Sequence, residues 1–385
     1  MRIFYSVGEP SGDIHGTNLI RALDQIRPGI EHVGFGGERM ADAGCKQLFP
    51  LTQLAVMGIW NVLGALPQFL SLLSQADRYF AHHRPDAVVL IDFPGFNWWI
   101  ARRARFHGIP VFYFVPPQLW AWAGWRVSKM RRFVDHVLCS LPFEPAWYAE
   151  RGVSAQYIGH PFYDELPKQQ LDAEFLDGQR RQGGTIIGIL PGSRTMEVER
   201  NLPTQLRAAE RIHREHPHTR FLIASFKESQ RKMAEEMRRQ FPALPVEMFV
   251  GKTPEIITLS KACISVSGSV SLELLYAAKP TVVVYRLSKT TYRWLRPLLK
   301  AKYITLVNLL ADKMLYPEFA TDRCDAEKVA QSISHWLSDE RAYADVCREL
   351  LTLREKTARP GACAAAGQRI MEVLDGESSL ARRAA

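Results

Sequence analysis

The sequence predicts an α/β protein made of two doubly wound, parallel-sheet domains facing each other across a cleft, with a helical C-terminus. Three observations carry this. Short apolar runs alternate with amphipathic stretches along most of the chain, and the alternation breaks once, at residues 157–184, a polar segment punctuated by Pro and Gly. The length of 385 residues also exceeds what one core usually fills. Strands buried on both faces, each followed by a helix, pair in parallel through right-handed crossovers.

The first series of strands reads "RIFYSV" (2–7), "EHVGFGG" (31–37), "DAVVLIDF" (86–93), "PVFYFV" (110–115) and "DHVLCSL" (135–141). The second reads "TIIGILPG" (185–192), "TRFLIASF" (219–226), "PVEMFVG" (245–251), "ACISVSG" (262–268) and "PTVVVYR" (280–286). Past about residue 320 the strands stop and helical patterns follow. The expected division is a first domain over 1–165, a second over 184–335, and helices over 336–385 that cross back to the first domain or to a partner subunit. In such sheets ligands bind beyond the carboxyl ends of the strands, so the loops there are the places to look for chemistry.

Composition narrows the class. Apolar residues at 47% and charged residues at 23% suit a globular domain protein. Six cysteines without C-x-x-C spacing read as core thiols of a reduced, cytoplasmic chain. The chain opens directly into a strand, with no apolar leader region. Residues 54–76 are apolar and uncharged, but Asn61, Pro67, Gln68 and Ser71 interrupt them too often for a spanning helix. The net charge of +9 comes with basic clusters at 101–108, 125–133 and 292–303, each mixed with aromatics. Nucleic acid, an anionic membrane surface and phosphorylated substrates all fit such patches, and so do plainly solvated helix faces.

The loops at the strand ends separate these classes. "GEPSGDIHG" (8–16) has glycines at 8, 12 and 16, which make neither G-x-G-x-x-G nor a P-loop, and Glu9 and Asp13 place carboxylates where a pyrophosphate would sit. "LPGSR" (190–194) is a strand, a turn at Gly192 and a helix start, with Ser193 as the expected cap and Arg194 as an anion fork; alternatively Arg194 pairs with Glu197 or Glu199 on its own helix. "SGSVSLE" (267–273) repeats the plan with Ser267, Gly268 and Ser269, and Glu273 is placed either to accept from ribose hydroxyls or to serve as a first-turn charge. Together these two turns describe a nucleoside diphosphate site. Asp92 stands at the end of a buried strand, as a general base or as a helix cap. Trp120, Trp122 and Trp125 follow the next strand and either wall a sugar or acyl chain or fill the core beneath. No histidine group has ligand companions at metal spacing, and no G-x-S-x-G elbow offers an acyl-transfer nucleophile.

These motifs, with "LAVMGIWNVL" (54–63), "DFPGFN" (92–97), "VPPQLWAW" (115–122), "LPFE" (141–144), "YIGHP" (157–161) and "VNLL" (307–310), occur in one order over nearly the whole chain, which resembles the bacterial lipid-A-disaccharide synthase family. The resemblance implies a GT-B fold and an inverting, metal-free and cofactor-free transfer from UDP-2,3-diacylglucosamine to 2,3-diacylglucosamine 1-phosphate (lipid X). The product is the β-1,6-linked disaccharide, with UDP released, at the cytoplasmic face of the inner membrane. It implies Asp92 as base, with Arg194, Glu273 and Asn308 on the nucleotide side; Ser269 departs from the Thr that members often carry. Residues 8–16, Gly12 included, then line the acceptor side, with Glu9 or Asp13 orienting hydroxyls. Nucleic acid is no longer expected, and a homodimer is compatible with the chain. Because both substrates are acylated, Leu54, Val56, Met57, Ile59, Trp60, Leu63, Leu66, Phe69, Leu70 and Leu73 are expected to lie in a membrane interface, the competing expectation being a helical pair buried under the sheet. A UDP-sugar epimerase, or a transferase to a non-acylated acceptor, shares the donor loops and is the alternative.

Overall fold

The computed structural model describes residues 1–56, 62–288 and 302–384, which form two compact units, Met1–Glu165 with Arg359–Ala385, and Leu166–Ala358. Unit 1 holds a seven-stranded parallel sheet of β1 (Arg2–Val7), β2 (Glu31–Phe35), β3 (Lys46–Phe49), β4 (Ala87–Ile91), β5 (Val111–Phe114), β6 (His136–Cys139) and β7 (Ala155–Tyr157). Its spatial order is β3-β2-β1-β4-β5-β6-β7. The helices between are α1 (Pro10–Ile26), α2 (Glu38–Asp42), α3 (Leu51–Val56), α4 (Val62–His83), α5 (Pro94–Phe106), α6 (Leu119–Trp122), α7 (Val127–Phe133) and α8 (Glu144–Ala149). Alternation along the strands sends side chains to opposite faces. Phe4, Val88, Leu90, Val111 and Tyr113 enter one core with α4, α5 and α7, while Tyr5, Val89, Ile91, Phe112 and Phe114 enter the other with α1.

Unit 2 holds a six-stranded parallel sheet, β10-β9-β8-β11-β12-β13, of β8 (Thr185–Leu190), β9 (Thr219–Ser225), β10 (Val246–Val250), β11 (Ala262–Ser265), β12 (Thr281–Arg286) and β13 (Glu318–Thr321). Its helices are α9 (Ala173–Arg181), α10 (Thr195–Glu215), α11 (Glu228–Arg238), α12 (Thr253–Leu259), α13 (Val270–Tyr276), α14 (Leu306–Ala311), α15 (Ala326–Ser338) and α16 (Glu340–Thr357). The last helix, α17 (Ala362–Ala384), belongs to unit 1, where Ala366, Ile370 and Leu374 join the core against Leu19 and Leu23 of α1. Asp164 fastens its start, accepting from the backbone N–H of Gly361, Ala362 and Cys363.

All ten expected strands are present, β1 over its whole expected range and the other nine with trimmed ends. Strands β3, β7 and β13, only three or four residues each at or next to a sheet edge, carry too short a pattern to be seen in the sequence. The polar break at 157–184 is more ordered than its composition suggests. It contains 3-10 turns at Pro161–Asp164 and Leu166–Lys168, then α9, whose cap Asp172 accepts from Phe175 N–H at 3.0 Å and meets Lys252 Nζ at 2.5 Å.

Each sheet reverses its winding once. In unit 1 the reversal lies between β1 and β4, and in unit 2 between β8 and β11. Helices leaving a switch point diverge to opposite faces and open a crevice at the strand ends. The motifs "GEPSGDIHG", "DFPGFN", "LPGSR" and "SGSVSLE" follow the strands at those two points.

Candidate active site

At the unit 1 switch point Val7 pairs with Ile91, so the loop after β1 lies directly beside the loop after β4. The approach is close. A Cβ on Gly8 would fall 2.2 Å from the Phe93 ring, and one on Gly12 would fall 2.9 Å from Val7 Cγ1 and 3.8 Å from Asp92 Cβ. Glycine at 8 and 12 is therefore a packing requirement. Pro10 and Pro94 open α1 and α5, where a missing N–H costs nothing.

Asp92 and Phe93 both occupy the left-handed region, at φ 52° and 45°. That conformation is costly for side chains other than Gly, Asn or Asp and persists only where the surroundings impose it. Here Asn97 Nδ2 and Tyr113 Oη donate to the Asp92 carbonyl at 2.7 and 2.8 Å. Asn97, fully buried, also donates to the Ser6 carbonyl and accepts from Ser6 Oγ at 2.6 Å, tying β1 to β4. These contacts hold the backbone and leave the carboxylate without a hydrogen-bond partner among the described residues. Burial, and secondarily the negative Glu9, push the Asp92 carboxyl up to about 7. The alternative of Asp92 as a helix cap fails, since α5 has Phe93 at its N-cap position and no side-chain cap bond.

Asp13 is not the free rim carboxylate that the sequence suggested. It accepts from the backbone N–H of Gly37, Arg39 and Met40 at 3.0–3.2 Å and so caps α2. Glu9, at the N-cap position of α1, makes no cap bond with its side chain, which leaves it beside Asp92. Trp120 lies half-buried in α6, its Nε1 donating to Glu144 at 3.1 Å. Met57, Ile59, Trp60 and the side chains of Val56, Leu63 and Trp122 lie outside the described residues. Of the rest of 54–76, Leu54, Phe69, Leu72 and Leu73 pack on the core, while Leu66 and Leu70 are exposed.

At the unit 2 switch point Leu190 pairs with Ser265, bringing the turns after β8 and β11 together. Gly192 adopts φ 118°, and a Cβ there would meet Glu197 Oε2 at 2.6 Å. The helix cap is not Ser193 as expected: α10 has Arg194 at its N-cap, and Glu197 reaches back to accept from the N–H groups of Ser193 and Arg194, at 3.2 Å each. Its other oxygen lies 3.5 Å from Arg194 Nη1, the intrahelical pair that stood as the alternative, but the guanidinium side chain is 75% exposed. Such a pair is weak, so Arg194 is free to turn to an incoming anion. Buried Gln230 steadies the turn from α11, donating to the Ser193 carbonyl at 2.7 Å.

Across the switch point Ser267 donates to the Ile304 carbonyl at 2.6 Å, and Gly268 and Ser269 are exposed. Glu273, one turn into α13, has no hydrogen-bond partner among the described residues, and burial pushes its carboxyl up to about 7. Asn308 is the clearest correction. It is fully buried, donates to the Tyr316 carbonyl and Glu318 Oε1, and accepts from the N–H groups of Leu315 and Tyr316, all at 2.7–2.9 Å. An amide has two donor hydrogens and one accepting oxygen with two lone pairs, and all are in use, so Asn308 builds the fold and has nothing to offer a nucleotide.

Sequence reasoning missed Asn97, Tyr113, Gln230 and Glu144. Asn97 and Glu144 sat inside the quoted "DFPGFN" and "LPFE", yet only the coordinates reveal that they grip neighbouring loops.

Solved structures with this fold include UDP-GlcNAc 2-epimerase from Neisseria meningitidis bound to UDP-GlcNAc, at TM-score 0.64 and 13% identity, covering 97% of this chain and 99% of that one. MurG of Acinetobacter baumannii aligns at TM-score 0.58 and 15% identity (96% and 99% covered), and the calicheamicin glycosyltransferase CalG4 at 0.58 and 14% (97% and 98%). At such identities the likeness establishes the GT-B fold and no more. Sequence comparison goes further. The lipid-A-disaccharide synthase of Anaeromyxobacter sp. strain K is 35% identical over 373 residues, 97% of each chain, and that of Azotobacter vinelandii 39% over 339 residues, 86% of this chain and 88% of the other. The Pseudomonas aeruginosa strain UCBPP-PA14 enzyme is 33% identical over 379 residues, covering 97% and 98%. With the profile of lipid-A-disaccharide synthetases matching residues 3–373, this chain belongs to that family.

Proposed function

We propose that this chain, a lipid-A-disaccharide synthase by family, transfers the sugar of UDP-2,3-diacylglucosamine to the 6-hydroxyl of 2,3-diacylglucosamine 1-phosphate, with inversion. Asp92 takes the hydroxyl proton as the oxygen bonds to the anomeric carbon; the bond from that carbon to the diphosphate breaks, and UDP leaves with the electron pair. The observation that carries this reading is Asp92 itself, a carboxylate fixed by its backbone, lacking a partner and titrating near the pH at which it must work. The neighbouring Glu9 raises the Asp92 carboxyl further, favouring proton capture. In unit 2 the departing charge falls to Arg194 and to the α10 amides, from which Glu197 must withdraw. Glu273 accepts from the ribose hydroxyls, which supply the hydrogen bonds it lacks.

Acylated substrates also demand a lipid surface, and the peripheral, inner-face location belongs to this proposal. No described helix is long and apolar enough to cross a membrane. Helices α4, α5 and α7 cover one face of the unit 1 sheet, and their outer sides, with the turn before α7, expose Leu66, Leu70, Trp99, Phe106 and Trp125. Arg102, Arg103, Arg105, Lys129, Arg131 and Arg132 lie among them, a combination suited to anionic headgroups.

The test pairs Asp92→Asn with Arg194→Ala in an assay of UDP release with acylated and with free-sugar acceptors. Asp92→Asn should lower kcat by at least about a hundredfold while UDP binding is kept. Arg194→Ala should weaken UDP binding roughly ten- to a hundredfold, the worth of a charge-assisted contact. Full activity in Asp92→Asn would remove the base, and release with free sugars alone would favour a different acceptor.

A further inference from the structure

We infer that Glu144 is a positioning residue that fixes the indole of Trp120 at the acceptor end of the unit 1 sheet, an inference that rests on the transferase reading above. Glu144 opens α8, just after β6, and is fully buried. Its Oε2 accepts from Leu141 N–H at 3.0 Å and its Oε1 from Trp120 Nε1 at 3.1 Å. Trp120 belongs to α6, after the neighbouring strand β5, and its ring also meets Phe143 edge-on at 5.1 Å. The loops after β4, β5 and β6 therefore leave the same end of the sheet side by side, carrying Asp92, Trp120 and Glu144 in turn.

Bracing its own turn does not by itself account for Glu144, since α8 has Phe143 at its N-cap position. A shorter Asp, Asn or Ser satisfies a helix start without burying a long carboxylate. What the position requires is two acceptor atoms, one for its own turn and one for a donor on another loop, and burial pushes its carboxyl up to about 7, a cost that the fold carries. The result is an indole plane with one fixed orientation and part of its surface left open, the arrangement that a sugar ring or acyl stem packs against.

The chemistry of the pair supplies a decisive cycle. In Glu144→Gln only one accepting oxygen faces two donors, so either Leu141 N–H or the indole N–H meets an amide NH2. In Trp120→Phe the ring is kept and that second donor is gone, so the Gln oxygen stays on Leu141 N–H and its NH2 no longer faces another donor. Steady-state kinetics on the full-length chain, with each substrate varied in turn, should show acceptor KM raised about three- to tenfold by either single substitution, the worth of one hydrogen bond, with donor KM and kcat within about twofold. The double variant should be no worse than Trp120→Phe alone. Additive effects, or a normal acceptor KM in Trp120→Phe, would overturn the inference and leave Glu144 as a brace of the turn before α8. Should Glu144→Gln fail to fold, recovery of folding in the double variant supports the coupling, and failure of both overturns it. Absence of turnover in the unaltered chain with acylated substrates would instead strike the transferase reading itself.

Discussion

At the mouth of β4, the side chains of Asn97 and Tyr113 bind the backbone of Asp92 and leave its carboxylate alone. Around α14, every polar atom of Asn308 is engaged by Leu315, Tyr316 and Glu318. Asn308 is fully buried and Asp92 partly so, and sequence motifs mark both positions as functional. The difference lies in who satisfies them. An amide whose hydrogen bonds are all internal is committed to the fold, whereas a carboxylate partly desolvated and left without a protein partner has its electrostatic demand left over for a substrate. Glu273 falls with Asp92 on this criterion, and Asp13 falls with Asn308.

The hardest test of the distinction is Asn308→Ala. It strands two backbone N–H groups and removes two donors, in a site with no room for water to be assumed. The expected cost is roughly 3 kcal/mol or more, and on the order of 6–12 °C in the melting of unit 2. Differential scanning calorimetry with and without UDP reads both halves of the question. A normal melting temperature together with lost UDP affinity would return Asn308 to the nucleotide site and break the comparison.

Much of the architecture was legible in advance because buried parallel strands leave runs of apolar residues that need no context, as in "AVVLI" of β4. Loop positions were legible for the same reason, since a strand end followed by Gly or Pro has few alternatives. The roles of polar residues were not. Asp13 and Asp92 are both carboxylates after a switch-point strand, and the sequence gives them equal standing. What separates them is whether the 36–40 turn folds back to present three N–H groups, a tertiary fact. Ser193 and Glu197 likewise compete for the same helix start, and the longer side chain prevails because it reaches both N–H groups from inside the helix.

A milder test uses pH. A carboxyl whose folded pKa, about 7, lies above its ordinary 3.8 favours the protonated folded state, so its stabilising contribution is full below the ordinary value and disappears as pH rises through 7. Asp92→Asn removes that penalty. It should leave thermal stability unchanged near pH 4 and raise it at pH 8, by on the order of 1–2 kcal/mol, while activity of the unaltered chain falls as pH drops below 7. Equal melting temperatures at both pH values would mean that the carboxylate is satisfied after all, and the contrast with Asn308 would lose its basis.

The same criterion extends to apolar groups, where two adjacent tryptophans in α5 sharpen it. Trp98 is buried and its ring packs 5.7 Å from that of Tyr113, whereas Trp99 is 53% exposed, with Arg102, Arg103 and exposed Phe106 on the following turns. A ring packed into the core holds the fold, and one exposed beside arginines suits a lipid interface. Trp99→Ser should therefore leave melting unchanged and weaken binding to phosphatidylglycerol vesicles about fivefold, close to 1 kcal/mol of partial ring burial, with little change on neutral vesicles. Turnover of detergent-dispersed substrates should be kept, because Trp99 lies exposed on the outer side of α5. Trp98→Ser should do the opposite, lowering stability outright. Flotation that is indifferent to Trp99 but abolished by charge reversal at Arg102 and Arg103 would mean that headgroup charge alone draws this face to the bilayer, and would confine the partner criterion to polar groups.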